Sequence, residues 1–270
     1  MNRTAFHSLA WLWIALVGVH AFAQEAEEPL ESDRPDFTEA TSVVGPDRWQ
    51  LESGYTYTRD EDQDVRTDEH VLPEFLLRIG LNDWLELRLG WAGYVLSDAR
   101  DLNAGRSDSI NGGTDGDIGV KIALSEQDEC EPWLPATALI ASLTLPIGAE
   151  AFTNDSLQGR LNYLYSWDLT DELSLGGSTG LTTVREDEDD FLELTQSVTM
   201  GTGLTEQAGL YVEWFAFFRE NSEDDAPEHY LNGGTTYLVT PNLQLDWRAG
   251  FGLNESAADF FTGAGFVIRR

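Results

Sequence analysis

From Trp49 to the end of the chain, apolar residues recur at every second position. In 71–81 the odd positions are Val71, Pro73, Phe75, Leu77, Ile79 and Leu81, and the even ones include Glu74, Arg78 and Gly80. In 85–95 the odd set is Leu85, Leu87, Leu89, Trp91, Gly93 and Val95, against Glu86, Arg88, Gly90, Ala92 and Tyr94. The same contrast runs through 157–167, where Leu157, Leu161, Tyr163, Tyr165 and Trp167 face Gln158, Arg160 and Asn162. It returns in 243–253, where Leu243, Leu245, Trp247, Phe251 and Leu253 face Gln244, Asp246, Arg248 and Asn254. A period of two is the mark of a β-strand with one apolar and one polar or small face. Weaker runs at about 49–58, 116–124, 135–147, 172–184, 191–202, 209–219, 229–239 and 260–268 bring the total to twelve. Most match the ~9–11 residues that a tilted strand needs to cross a bilayer.

The connections alternate in length. Short breaks fall at Asn82–Asp83, Thr170–Asp171, Thr205–Glu206 and Thr240–Asn242, with a longer relative at Ser125–Pro132. Asn, Asp, Thr and Pro suit tight turns because they stabilise them locally. Between the breaks lie longer acidic stretches: Arg59–Glu69, Ser97–Gly113, Gly148–Ser156, Arg185–Asp190, Glu220–Glu228 and Asn254–Asp259. Short turns at one rim and long loops at the other are how membrane barrels are built. The predicted fold is all-β, a twelve-stranded antiparallel up-and-down transmembrane β-barrel over residues 49–270. The short turns are expected at the periplasmic rim. The competing reading is a secreted soluble β-sandwich with solvated polar faces. It is disfavoured by strand length, the even strand count and the loop asymmetry, and by the aggregation hazard of long open edges.

The N-terminus reads as an export signal over residues 1–23. Arg3 precedes the apolar stretch Leu9–Val19, and Ala21–Ala23 fits a small-residue cleavage site. The apolar stretch is too short for a comfortable helical span. Residues 24–48 follow as an irregular, acidic, periplasmic extension carrying Pro29, Pro35 and Pro46. Within it, Asp33, Arg34, Pro35, Asp36, Phe37 and Thr38 are expected either to enter the lumen as a small plug or meet a partner, or to pack as a lead-in at the lower rim.

Charge narrows the function. The chain has 48 acidic and 16 basic residues and a formal net charge of −32, which argues against nucleic acid as a partner. Expected partners are outer-membrane lipid, the barrel assembly machinery and a small-molecule solute. The acidic loops could also gather divalent cations at a pore mouth, although Arg59–Glu69 lacks the glycine of a calcium loop. Inward-facing charges predicted to line the lumen are Glu74, Arg78, Glu86, Arg88, Asp117, Lys121, Arg160, Glu213, Asp246 and Arg248. Cys130 stands alone, so neither an internal disulfide nor a cysteine-based metal site is available. No cofactor is implied. A barrel-borne lipid-modifying enzyme would need a nucleophile beside His70 or His229, and no serine adjoins either in a recognisable pattern. A structural or surface-interaction barrel without an open pore is the other alternative to a passive channel.

One block of the sequence resembles a known family. Arg34-Pro35-Asp36-Phe37-Thr38, followed by Leu51-Glu52-Ser53-Gly54-Tyr55-Thr56-Tyr57, is similar to the start of the phenol-degradation meta-pathway, or transporter-like, outer-membrane proteins of bacteria. Trp84–Leu87 and Leu145–Gly148 also resemble family features. The resemblance implies an outer-membrane β-barrel and transport of small, aromatic or hydrophobic, compounds, with no catalytic residues. One departure is the C-terminus, where Phe266-Val267-Ile268-Arg269-Arg270 does not end on the aromatic residue that such barrels commonly present to the assembly machinery.

Overall fold

Alternation of this kind forces a sheet with opposite surfaces, and a long sheet of that sort is stable only when closed. The computed structural model describes residues 30–128, 130–186, 189–219 and 226–270; the expected export signal lies outside these. Its strands are β1 (Trp49–Asp62), β2 (Val65–Asn82), β3 (Leu85–Trp91), β4 (Tyr94–Asp101), β5 (Ser107–Gly113), β6 (Gly116–Ser125) and β7 (Ala136–Leu145). They continue with β8 (Gln158–Asp168), β9 (Leu173–Glu186), β10 (Asp189–Gly203), β11 (Ala208–Arg219), β12 (Glu228–Thr240), β13 (Leu243–Gly252) and β14 (Phe260–Arg269).

All pairings are antiparallel, and β1 pairs with both β2 and β14, so the sheet closes on itself. Two walls of the barrel are each broken into two segments. The lower part of β2 pairs with β3 and its upper part with β4, so β3 and β4 form one interrupted strand. Likewise β5 pairs with β4, and β6 with β3, making a second interrupted strand. Counted as walls, the barrel is the twelve-stranded one that the sequence predicts.

The breaks correct the expected faces of two strands; on β2, Leu72 is exposed where Val71 was expected. At Gly93 the backbone adopts φ 124°, a conformation that glycine tolerates, and the alternation slips by one. Val95, expected on the lipid face with Leu89 and Trp91, is instead buried, while Tyr94 and Leu96 are exposed. The facing position on β2 is Pro73, which has no N–H to give to a ladder. At the second break Asp115 accepts hydrogen bonds from the backbone N–H groups of Gly148 and Asn154, which ties the 146–157 connection to the wall.

A second correction concerns the loops. Arg59–Glu69 and Ser97–Gly113, expected as loops, are mostly strand. β1 and β2 are joined by Gln63–Asp64 alone, with Gln63 at φ 57°, and β4 runs to Asp101 before β5 resumes at Ser107. Their polar composition hides the strands because both faces of these extensions are wetted, and backbone pairing needs no apolar face. In Arg185–Asp190 the flanking residues are the ends of β9 and β10, and most of Glu220–Glu228 lies outside the described residues.

Burial is inverted relative to a water-soluble domain. The largest wholly buried side chains include Arg78, Lys121, Glu52, Glu86 and Glu213, while Ile118, Leu143, Leu161, Leu181, Val212 and Leu245 lie exposed on the outside. An apolar outer surface around a polar interior is what a strand-built membrane span requires. Trp49, Trp84, Trp133 and Trp247 are exposed in the half of the barrel with the short turns, where an interfacial aromatic girdle belongs.

Candidate functional site

Residues 30–48 belong to no strand. They run up among the inward-facing side chains, turn near Phe37 and return to the rim where β1 begins. Near the rim, Gln50 Nε2 donates to the Glu31 carbonyl at 2.8 Å, and the N–H groups of Asp33 and Arg34 donate to Glu52 at 3.1 and 3.0 Å. Higher up, Arg34 reaches Glu74 on β2 at 2.5 Å and Asp246 on β13 at 3.1 Å. At the turn, Phe37 stacks on Phe215 with ring centroids 4.6 Å apart, inside a cluster that includes Phe217, Tyr230 and Phe261. Glu213 accepts from the N–H groups of Phe37 and Thr38 at 2.8 and 2.7 Å. On the return limb, Glu39 meets Arg88 and Arg160, and the Val44 N–H donates to Glu86.

Asp33 is the hub. Its carboxylate takes Lys121 Nζ at 2.9 Å, Arg88 at 2.6 Å and Arg78 at 3.5 Å, and also accepts the N–H of Ala40, which fixes the loop against itself. Burial opposes its ionisation, but the charges of Arg78, Lys121 and Arg88 outweigh burial and hold the carboxyl well below its usual range. Asp36, three residues on, is the opposite case. Burial first, then the negative charge of Glu213, pushes its carboxyl well above the usual range.

All ten charges expected in the lumen, Glu74, Arg78, Glu86, Arg88, Asp117, Lys121, Arg160, Glu213, Asp246 and Arg248, sit on the inner face. All except Asp117 contact residues 30–48; Arg248, for example, donates to the Pro35 carbonyl at 3.0 Å, and Lys121 to that of Ala40. These charges are therefore paired with the inserted segment rather than presented to an open bore. The sequence reading missed Glu39 and Glu52, which do as much of the binding. It also missed the return limb Thr41–Gly45. Inward glycines carried a signal for it: a Cβ at Gly80 would strike the carbonyls of Val44 and Gly45, and one at Gly54 or Gly265 would strike the Arg34 guanidinium. Glycine inside a strand marks such close approaches.

The insert does not fill the barrel. A cavity of about 370 Å³ lies between it and the β9–β13 wall, lined by small residues such as Gly201, Gly203, Gly209 and Ser174 together with Asp36 and Tyr211. A second, of about 320 Å³, lies on the other side among Glu39, Glu74, Arg88, Asp117, Arg160 and Arg248. A third, of about 670 Å³, opens at the rim of the short turns beside Thr41–Pro46.

The two histidines considered for catalysis point outward, not to the lumen. His70 Nδ1 is hydrogen-bonded to the Tyr55 hydroxyl at 2.8 Å, and the His229 ring lies against Trp214 and Phe218. Among the described residues neither is bonded to a serine, and no cluster of three or more His, Cys, Asp or Glu residues could hold a metal ion. Cys130 is exposed on the Glu126–Pro135 connection.

The fold recurs in solved structures. An outer-membrane channel from Pseudomonas putida F1 is similar with a TM-score of 0.64 at 13% identity, covering 85% of this chain and 98% of that one. The NanC porin gives 0.51 at 10% identity over 82% and 98% of the two chains. The translocator domain of the autotransporter NalP from Neisseria meningitidis gives 0.55 at 10% over 84% and 90%. These likenesses establish the fold and, with the inverted burial, the bacterial outer membrane as its place. No curated protein sequence matches the chain. Residues 32–269 match the family described as "Putative MetA-pathway of phenol degradation", and the chain belongs to that family.

Proposed function

We propose that this protein is a passive outer-membrane channel for small solutes, aromatic or hydrophobic compounds among them, whose bore is set by residues 30–48. The observation that carries this reading is the state of the lumen. It is occupied by a loop held through hydrogen bonds, ion pairs and an aromatic contact at its turn, with cavities left open on both sides of it. A barrel of this size encloses more space than its own side chains fill. The charges that line the cavity beside the loop, Glu74, Asp117, Arg160 and Arg248, would set selectivity by field and size, with no bond-making step. The short turns face the periplasm in this reading, and the acidic strand extensions face outward, where they would raise the local concentration of cations.

The full burial of Arg78, Glu86 and Lys121 favours a second reading, a structural barrel closed for good. Planar-bilayer recording separates the two. The folded mature chain is expected to pass a small, steady ionic current, and a chain lacking residues 31–44 a severalfold larger one. No current from either protein, together with no solute flux into liposomes, would leave only the closed barrel.

A further inference from the structure

Outside the lumen, the extended sheet formed by β1, β2 and β4 carries a row of arginines on its outer face. Thr56 fixes the orientation: its hydroxyl meets Glu74 and Arg248 in the lumen, so Tyr55, Tyr57 and Arg59 on the same strand face outward. Tyr57 and Arg59 both contact Asp68, and Arg66 contacts the same carboxylate at 2.9 Å, which places Asp68 and Arg66 on this face too. On β4 the exposed residues run Tyr94, Leu96, Asp98 and Arg100. Climbing away from the apolar band, each strand passes from apolar or aromatic residues to charge within a few residues. That is the profile of a membrane interface.

Arg66 and Arg100 stand directly opposite each other in the β2–β4 ladder. Like charges at such a position repel. One carboxylate, Asp68, serves both Arg59 and Arg66, whose side chains remain 43% and 34% exposed. Among the described residues Arg100 has no ion pair. Glu61 and Asp98 face the same side; Asp98 takes the Ser109 hydroxyl. Acids and bases are thus balanced here, in a chain with 48 acids to 16 bases.

We infer that Arg59, Arg66 and Arg100 dock the phosphate of a phosphorylated glycolipid of the outer leaflet. A phosphate lying between Arg66 and Arg100 would relieve their repulsion through charge-assisted hydrogen bonds, and its acyl chains would lie along Tyr94, Leu96 and Leu72. The proposal rests on the barrel and its orientation, not on conduction, so a protein that carries no current leaves it standing.

The test uses the full mature chain folded in an uncharged detergent and titrated with diphosphorylated lipid A, with adducts counted by native mass spectrometry. Each arginine near an anionic lipid surface is worth about 1 kcal/mol, or about fivefold in affinity. The triple variant Arg59→Gln, Arg66→Gln, Arg100→Gln is therefore expected to bind about a hundredfold more weakly. Asp98→Asn is expected to bind more tightly, a change that misfolding cannot mimic. Lipid A stripped of phosphate should bind like the triple variant, and inorganic phosphate should compete only at millimolar concentration. Equal binding by the wild type and the triple variant would overturn the proposal. So would equal affinity for the phosphate-free lipid or for phosphatidylglycerol, or occupation of the face by a second copy of the chain.

Discussion

Asp33 concentrates the chemistry of the inserted segment in one side chain. Three cations converge on it, and its loss would leave Lys121, Arg88 and Arg78 short of a partner inside the barrel. Removing one member of such a buried network costs about 3–5 kcal/mol. Asp33→Ala is therefore expected to lower the denaturant midpoint of the folded barrel and raise its single-channel current; an unchanged midpoint and current would deny Asp33 its central place. Asp36 gives the residue-scale pH dependence. A carboxyl whose folded pKa is raised contributes stability when protonated and loses it as pH rises. Docking of the loop should then loosen as pH rises above the ordinary carboxylate range, so current should increase with pH. Asp36→Asn should flatten the profile, and a wild-type profile that falls with pH would contradict the assignment.

At the scale of the element, the inserted loop depends on places where the wall lacks side chains. Gly80 lies under the carbonyls of Val44 and Gly45. Gly80→Val is expected to lift the return limb, exposing the 40–48 region to limited proteolysis while the β-sheet circular dichroism stays the same. Resistance equal to wild type would mean that the limb has room to shift. A second test fixes the loop in place. The Thr38 and Ser197 hydroxyls lie 2.7 Å apart, so Thr38→Cys with Ser197→Cys, in a Cys130→Ser background, should form a disulfide under mild oxidation. If loop movement contributes to current, oxidation should lower the current and reduction should restore it. The strands themselves were legible from the chain wherever lipid wets one face and polar groups the other, as in 243–253. The extensions of β1, β2, β4 and β5 were not, because water on both faces erases the contrast. The break at Gly93 escaped detection because a one-residue slip leaves Tyr94 and Val95 equally plausible on either side.

For the whole molecule, orientation is the property that decides most. The single native cysteine offers a direct reading of it, since Cys130 is exposed at the rim of the short turns. A membrane-impermeant maleimide should label Cys130 only after the outer membrane of producing cells is made leaky. In a Cys130→Ser background, Asn103→Cys on the β4–β5 turn should label in intact cells. The reverse pattern would invert the topology. The lumen illustrates how far composition carries an argument. Alternation identified the ten inward charges, but not that their partners come from residues 30–48. That segment has no period, and its contacts join positions far apart in the chain, such as Arg34 and Asp246.

Arg34 does more than bind the wall. It holds Glu74 on β2 and Asp246 on β13, and those two strands flank the β1–β14 junction where the first and last parts of the chain meet. The ring is thus fastened twice, once by the backbone ladder that ends with Trp49 and Arg270 and once by a clasp on the inside. Because Asp246 sits on β13, the clasp can shut only once that strand is in place. The insert therefore bears on the order of assembly: an unfinished barrel has nothing for Arg34 to hold on that side, and the finished one is latched from within.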